Sequence, residues 1–279
     1  MNSAFDHCAT TLRLRDPERY LATRLAPQEA RAHLTALYAL DCELSAVRER
    51  ITEPLTGEIR LQWWRDAIAG LYSGASGGHP VLELLGGAIA AGKLPQSAFE
   101  DLIDARIFDL YDDPMASLGE LEAYLGASEG ALIQLSCLVL AQGGDPASGE
   151  AAGHAGMARG IARLMSQMAR HCARGQCYVP GEILARHGVA AQSLLAGNMP
   201  DGLGAVLAEL AGLAQDHFAR AGAVLAGLAP ALYPAFAPCG AVPARLRAVL
   251  RNADPLHTIS DISPLRRHWA VSRAGRVGL

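Results

Sequence analysis

Apolar side chains recur three and four residues apart along almost the whole chain, and no alternating apolar–polar pattern persists beyond a few residues. Between residues 27 and 50 the recurring positions are Ala30, Leu34, Leu37, Tyr38, Leu40, Leu44 and Val47. That period lines one side of an α-helix and does not line one face of a strand, where neighbours alternate. The spacing returns at 57–72, 81–91, 95–111, 118–141, 151–172, 203–228 and 242–251, with a short helical turn at 181–186. Between these runs stand Pro54, the stretch SGASGGHP at 73–80, Asp112-Asp113-Pro114, QGGDPASGE at 142–150 and a proline-rich bend at 229–238. Alanine and leucine carry most of the apolar weight, and both are strong helix formers. The expectation is one all-α domain of about eight to ten helices over 20–252, with an N-terminal segment at 1–19 and a basic tail at 253–279.

A net charge of −4 over 279 residues leaves no general nucleic-acid footprint. No uninterrupted apolar run approaches the roughly 20 residues of a membrane span. The start, MNSAFDHCATTLRLRD, has no apolar core of a signal peptide, and Asp6 and Asp16 argue against a transit peptide. The localisation expected is cytoplasmic, with a peripheral contact at the inner membrane left open. Cys8, Cys42, Cys137, Cys172, Cys177 and Cys239 form no C-x-x-C pair, so they read as small apolar residues of a reduced protein, and Cys172 with Cys177 lacks a partner set for zinc. The last segment, PLRRHWAVSRAGRVGL, holds four arginines, a histidine and Trp269 without an acid. It reads as a frayed basic tail, or as a contact for an anionic membrane or a protein partner.

Two helical stretches carry the polar residues of most interest. At 151–172, Ala152, Gly156 and Gly160 form a small-residue stripe that admits a close neighbour, and the same face continues to Leu164, Gln167 or Met168, and His171. In LYALDCELSAVRE, Asp41, Ser45 and Glu49 fall in one i, i+4 row beside Tyr38 and Cys42. Asp41 and Glu49 are two turns apart, roughly 12 Å along the axis, too far to share one magnesium directly. The residues alone allow Asp41 and Glu49 to be ion pairs with arginines. They also allow Gln167 and His171 to line a water-filled cavity, or to join Arg163, Arg170 and Arg174 around an anion without metal. Trp63 and Trp64 point about 100° apart on a helix, so one is expected in the core and the other half exposed.

Three stretches carry a resemblance: LYALDCELSAVRERI with IRLQWWRDAI after it, EAYLGASEGALIQL, and ARGQCYVPGEILARHGV. Over about residues 20–251 the chain resembles the squalene/phytoene synthase family, the head-to-head branch of trans-prenyl synthases. The resemblance implies an isoprenoid-synthase-type bundle around a central cavity. It also implies two aspartate-rich motifs on facing helices, holding a magnesium cluster that binds two diphosphates. Carried over position by position, the second motif's aspartates fall on Gln167 and His171, while Arg174, Gly175, Tyr178 and Pro180 keep the elements next to it. The paired aspartates of the first motif fall on Ser45 and Ala46, and its last acid on Glu49, the only one retained.

Magnesium needs hard oxygen ligands, and one carboxylate does not clamp a cluster between two helices. A branch of the family, the mitochondrial complex I assembly factor and its bacterial relatives, is similar in this degradation and in an R-x-Q-(aromatic)-W signature, here Arg60, Gln62, Trp63 and Trp64. The resemblance therefore implies a non-catalytic helper in assembling respiratory NADH dehydrogenase, with a protein of that pathway as partner and no cofactor. Two alternatives stay open: a prenyl transferase condensing two prenyl diphosphates with Mg²⁺, and a metal-independent carrier of a polyprenyl or lipid ligand. The cavity residues it implies are Tyr38, Asp41, Ser45, Glu49, Gly160, Gln167, His171, Arg174 and Tyr178.

Overall fold

A computed structural model describes residues 3–75 and 77–279. Met1, Asn2 and Ser76, the last within the turn expected at 73–80, lie outside the described residues. The described residues contain no strand. In chain order the α-helices are α1 Ser3–Arg15, α2 Pro17–Leu25, α3 Gln28–Ser45, α4 Pro54–Tyr72, α5 Pro80–Gly92, α6 Gln96–Phe108, α7 Leu118–Leu125, α8 Ala131–Leu140, α9 Gly149–Ser166, α10 Met168–Cys172, α11 Gly181–Arg186, α12 Ala191–Leu195, α13 Leu203–Leu225, α14 Tyr233–Phe236, α15 Val242–Arg251 and α16 Pro264–Val277.

Sixteen segments exceed the eight to ten expected, because short helices form inside apparent loops and two long helices break near polar residues. The helix expected to reach residue 50 ends at Ser45, whose hydroxyl donates back to the carbonyls of Asp41 (2.7 Å) and Cys42 (3.3 Å). A 3₁₀ turn, Arg48–Arg50, comes next and carries Glu49 off the Asp41–Ser45 row. Pro54 opens α4 at its first turn, where a missing N–H costs nothing, and Gly57 lies inside that helix. Gln167 forms the break between α9 and α10, so it and His171 do not sit on one continuous helix.

The boundary expected at 252/253 falls in the loop after α15, whereas the one at 19/20 falls inside a helix. A cut at 19/20 splits α2 within its first turn, and Arg19 is only 2% exposed. The basic tail is not frayed: α16 starts from a Ser263 N-cap and buries Ala270, Val271 and Ala274. The apolar stretch 118–140 also exceeds the sequence expectation. With the π-helical turn Gly126–Gly130, α7 and α8 join into one helix, Leu118–Leu140, long and apolar enough by length and composition to cross a membrane. Here it is a core helix, with Glu129 ion-paired at its middle.

Two apolar clusters hold the bundle. One gathers α1, α3, α4, α5 and α6, the other α7 and α9 to α15; α8 contributes Leu132, Leu135 and Val139 to the first and Ile133 and Cys137 to the second. The small-residue stripe on α9 meets the π turn. A Cβ at Gly156 would stand 2.5 Å from the Gly130 backbone, and one at Gly160 would collide with Leu125. This close approach sets Arg159 against Glu129. The tryptophans divide as expected: Trp64 is 5% exposed and packs edge-on against His79, while Trp63 is 49% exposed.

Candidate functional site

Between α1, α3, α6, α7, α9 and α10 opens a polar cavity of about 710 Å³. Eight of the nine cavity residues implied by the resemblance line it: Asp41, Ser45, Glu49, Gly160, Gln167, His171, Arg174 and Tyr178. The ninth, Tyr38, is buried behind the lining, with the Arg19 guanidinium 5.3 Å over its ring. Ala46 is wholly buried and does not line it.

Five carboxylates line the cavity, and each one is bonded by arginine. Asp41 accepts on one oxygen from Arg19 (2.5 Å) and on the other from Arg106 (2.6 Å). Asp16 accepts from Arg159 (2.6 Å) and Arg163 (2.8 Å) while capping α2 at the Arg19 amide. Glu129 accepts from Arg19 (2.8 Å) and from Arg159, with Arg163 3.5 Å from its second oxygen. Asp109 accepts from Arg106 (3.2 Å) and from the hydroxyls of Tyr178 (2.7 Å) and Tyr124 (2.9 Å). Glu49, at the rim, accepts from Arg15 (3.0 Å) and faces Arg174 at 3.4 Å.

The protonation states reflect this pairing. Burial alone would raise the Asp41 and Asp16 carboxyls, but Arg106 and Arg19 on the first, and Arg159 and Arg163 on the second, outweigh it and hold both below the usual range. Glu129 is held low in the same way by Arg159 and Arg19, and Glu49 by Arg15. Burial raises the phenols of Tyr178 and Tyr124, with Asp109 adding to the effect, so both remain donors. His171 stacks edge-on against Tyr178 at 4.8 Å. Burial, then Arg170 and Arg174, push its imidazole down to about 4, so it is neutral at physiological pH.

This donor set does not fit a magnesium cluster. Mg²⁺ takes oxygen ligands, and the lining carboxylates already spend their charge on guanidinium groups. Gln167 offers a neutral oxygen that already accepts from Arg170 at 3.3 Å, and imidazole is a poor magnesium ligand. The apolar space beside the cavity is also small. Leu164, Met165, Met168, Leu121 and Leu210 close it to about 20 Å³, roughly the room of one water.

Sequence reasoning does not single out Asp16, Arg19, Arg106, Asp109, Glu129 or Arg159. Glu129 carries a readable signal, an acid immediately before the apolar run 130–133. Arg159 and Arg163 carry another, one turn apart beside the small-residue stripe. Asp16 lies in the segment set apart as N-terminal, although Asp before Pro17 marks a helix start.

The squalene/phytoene synthase family model matches residues 12–273. The chain is 31% identical over 215 residues to NADH dehydrogenase (ubiquinone) complex I, assembly factor 6, of Mus musculus, a match covering 77% of this chain and 64% of that protein. The Homo sapiens protein of the same name is 30% identical over 217 residues, covering 77% and 65%. The phytoene synthase of Thermus thermophilus is 28% identical over 207 residues, covering 73% and 68%. The chain thus spans just under two thirds of the length of the mammalian relatives. Among solved structures, a squalene synthase from Alicyclobacillus acidocaldarius superposes with TM-score 0.78 at 20% identity, covering 89% of this chain and 93% of that one. A dehydrosqualene synthase gives TM-score 0.81 at 16% identity, covering 97% and 95%. Those likenesses show the shared all-helical fold, and with the match over residues 12–273 the chain belongs to the squalene/phytoene synthase family.

Proposed function

We propose that this chain is a non-catalytic member of its family that helps assemble the respiratory NADH dehydrogenase, as the names of its mammalian relatives indicate for them. One observation carries the reading: each of the five carboxylates lining the cavity is bonded by arginine. A prenyl synthase needs cations that a departing diphosphate can draw on. Arg15, Arg48, Arg106, Arg163 and Arg174 of this cavity already share their charge with carboxylates, while Arg170 bonds Gln167. The reading carries with it no cofactor, a protein partner of the assembly pathway, and a cytoplasmic place peripheral to the inner membrane. The apolar space beside the cavity, about 20 Å³, is far below the roughly 300 Å³ of ordinary ligand pockets, which weighs against a carrier that uses that space.

The test compares cells with and without this chain. Loss of assembled NADH dehydrogenase on native gels, with unchanged prenyl lipids, supports the reading. Release of diphosphate from farnesyl or geranylgeranyl diphosphate by the purified chain, abolished by a chelator, would overturn it.

A further inference from the structure

Charge is distributed very unevenly along this sequence. The first 241 residues hold 17 basic and 26 acidic side chains, whereas residues 242–279 hold seven arginines and only two acids, Asp254 and Asp261. The acids are occupied: Asp254 bonds His257 at 2.7 Å, and Asp261 bonds Arg267 at 2.6 and 2.8 Å. Asp261 and Glu18 thereby hold Arg267 on the protein side of α16.

The inward face of α16 is complete without its large apolar residues. Ala270, Val271 and Ala274 pack on the body of the bundle, and Gly240 comes close enough that a Cβ there would meet the Ala270 carbonyl at 2.6 Å. On the outward face, Leu265, Trp269, Ser272, Arg273 and Arg276 succeed one another along the helix, mostly at three- and four-residue steps. Leu265 is 85% exposed, the largest value for any big apolar side chain among the described residues, and Trp269 is 67% exposed. Arg266, His268 and Val277 flank them, also exposed. A leucine and a tryptophan in water, ringed by cations with no free acid nearby, match the headgroup region of an anionic bilayer, where indole rings settle and arginines meet phosphates. A protein partner would have to supply both a matching acidic patch and an apolar cleft; a lipid surface supplies both at once.

We propose that the outward face of α16, through Leu265, Trp269, Arg273 and Arg276, seats the folded protein on an anionic lipid surface. The contact is peripheral, since the helix keeps its inward face on the bundle throughout. The proposal rests on the peripheral placement within the assembly reading and names the surface responsible. The test is flotation of the full chain with phosphatidylcholine–phosphatidylglycerol vesicles, against pure phosphatidylcholine vesicles, at low and high salt. Binding is expected to the anionic vesicles alone and to weaken with salt. Arg273→Ala and Arg276→Ala should each lower affinity about fivefold, from roughly one phosphate-attracted charge apiece. Leu265→Ser with Trp269→Ser should abolish binding while the far-ultraviolet dichroism and melting stay as in the parent. Equal binding to neutral vesicles, no binding to either, or a loss produced by Ile59→Ser on α4 and not by the α16 variants would each overturn the proposal. Lipid contact is the only quantity read here, so failure leaves the assembly reading to stand or fall on NADH dehydrogenase itself.

Discussion

Glu129→Gln isolates the charge of the buried network, because glutamine keeps the shape of glutamate and leaves no cavity. In the parent, Glu129 accepts from Arg19 at 2.8 Å and from Arg159, both of which are 2% exposed. The variant leaves those guanidinium groups with Asp16 and Asp41 as their anions. Removing one partner of a buried pair costs about 3–5 kcal/mol, and the two remaining carboxylates argue for the lower end, about 3 kcal/mol. A chain of 279 residues unfolds with an entropy near 0.6 kcal/mol/K, from about 2.1 cal/mol/K per residue, so the melting temperature should fall by about 5 °C. Differential scanning calorimetry at neutral pH reads this directly.

The pH dependence gives the sign of the effect independently. The folded state holds the Glu129 carboxyl below its usual range. Its contribution is therefore complete above the unfolded value near 4.3 and disappears as pH falls through the folded value. The gap between parent and variant should narrow as the solution is acidified below about pH 4. A melting temperature unchanged at neutral pH, or a gap that widens in acid, would refute the idea that this ion network is a paired, buried unit.

Trp64→Ala should cost about 3–5 kcal/mol in chemical denaturation and Trp63→Ala less than about 1 kcal/mol, since only the first is enclosed. Gly156→Ala should destabilise more than Gly160→Ala in the same assay, because the new methyl meets the Gly130 backbone in one case and the tip of the Leu125 side chain in the other. His171 is held neutral to about pH 4, chiefly by burial, so its contribution is whole above its ordinary value near 6.5 and is lost as pH falls towards 4. His171→Gln should flatten the stability curve across that window, measured by melting at stepped pH.

The helical fold was legible because period and composition are local properties. Leu34, Leu37 and Leu44 announce their helix without any partner, and all three are buried. The cavity lining was legible where the family's motif positions survive as a frame, even with the acids replaced: Ser45, Glu49, Gln167 and His171 all reach it. That Asp41 and Glu49 pair with arginines was legible, but the partners and the rest of the network were not, because its bonds join distant parts of the chain: Asp16 to Arg159, Arg106 to Asp41, Arg19 to Glu129. No spacing rule connects residues 22, 65, 110 or 143 positions apart. The helix ends escaped for a different reason. Ser45 and Gln167 are compatible with a helix interior, and only the packing of the adjoining segments decides that the helix stops there.

The deep carboxylates of the cavity differ physically from positions at its rim, where Glu49, the one motif acid retained, also lies. Carboxylates at 45, 167 and 171 would face the rim, where Arg15, Arg48, Arg163, Arg170 and Arg174 line the cavity. Asp16, Asp41 and Glu129 lie deeper, each 4–7% exposed, where an unpaired charge is not tolerated and a guanidinium fork can satisfy two oxygens at once. Arginine stays protonated at any pH the fold survives, so this pairing is limited only by protonation of the carboxylates. A magnesium cluster binds, exchanges water and releases; a tethered arginine does none of these. The ion pairs at the centre of this bundle accordingly tie helices α2, α3, α6, α9 and the π turn together.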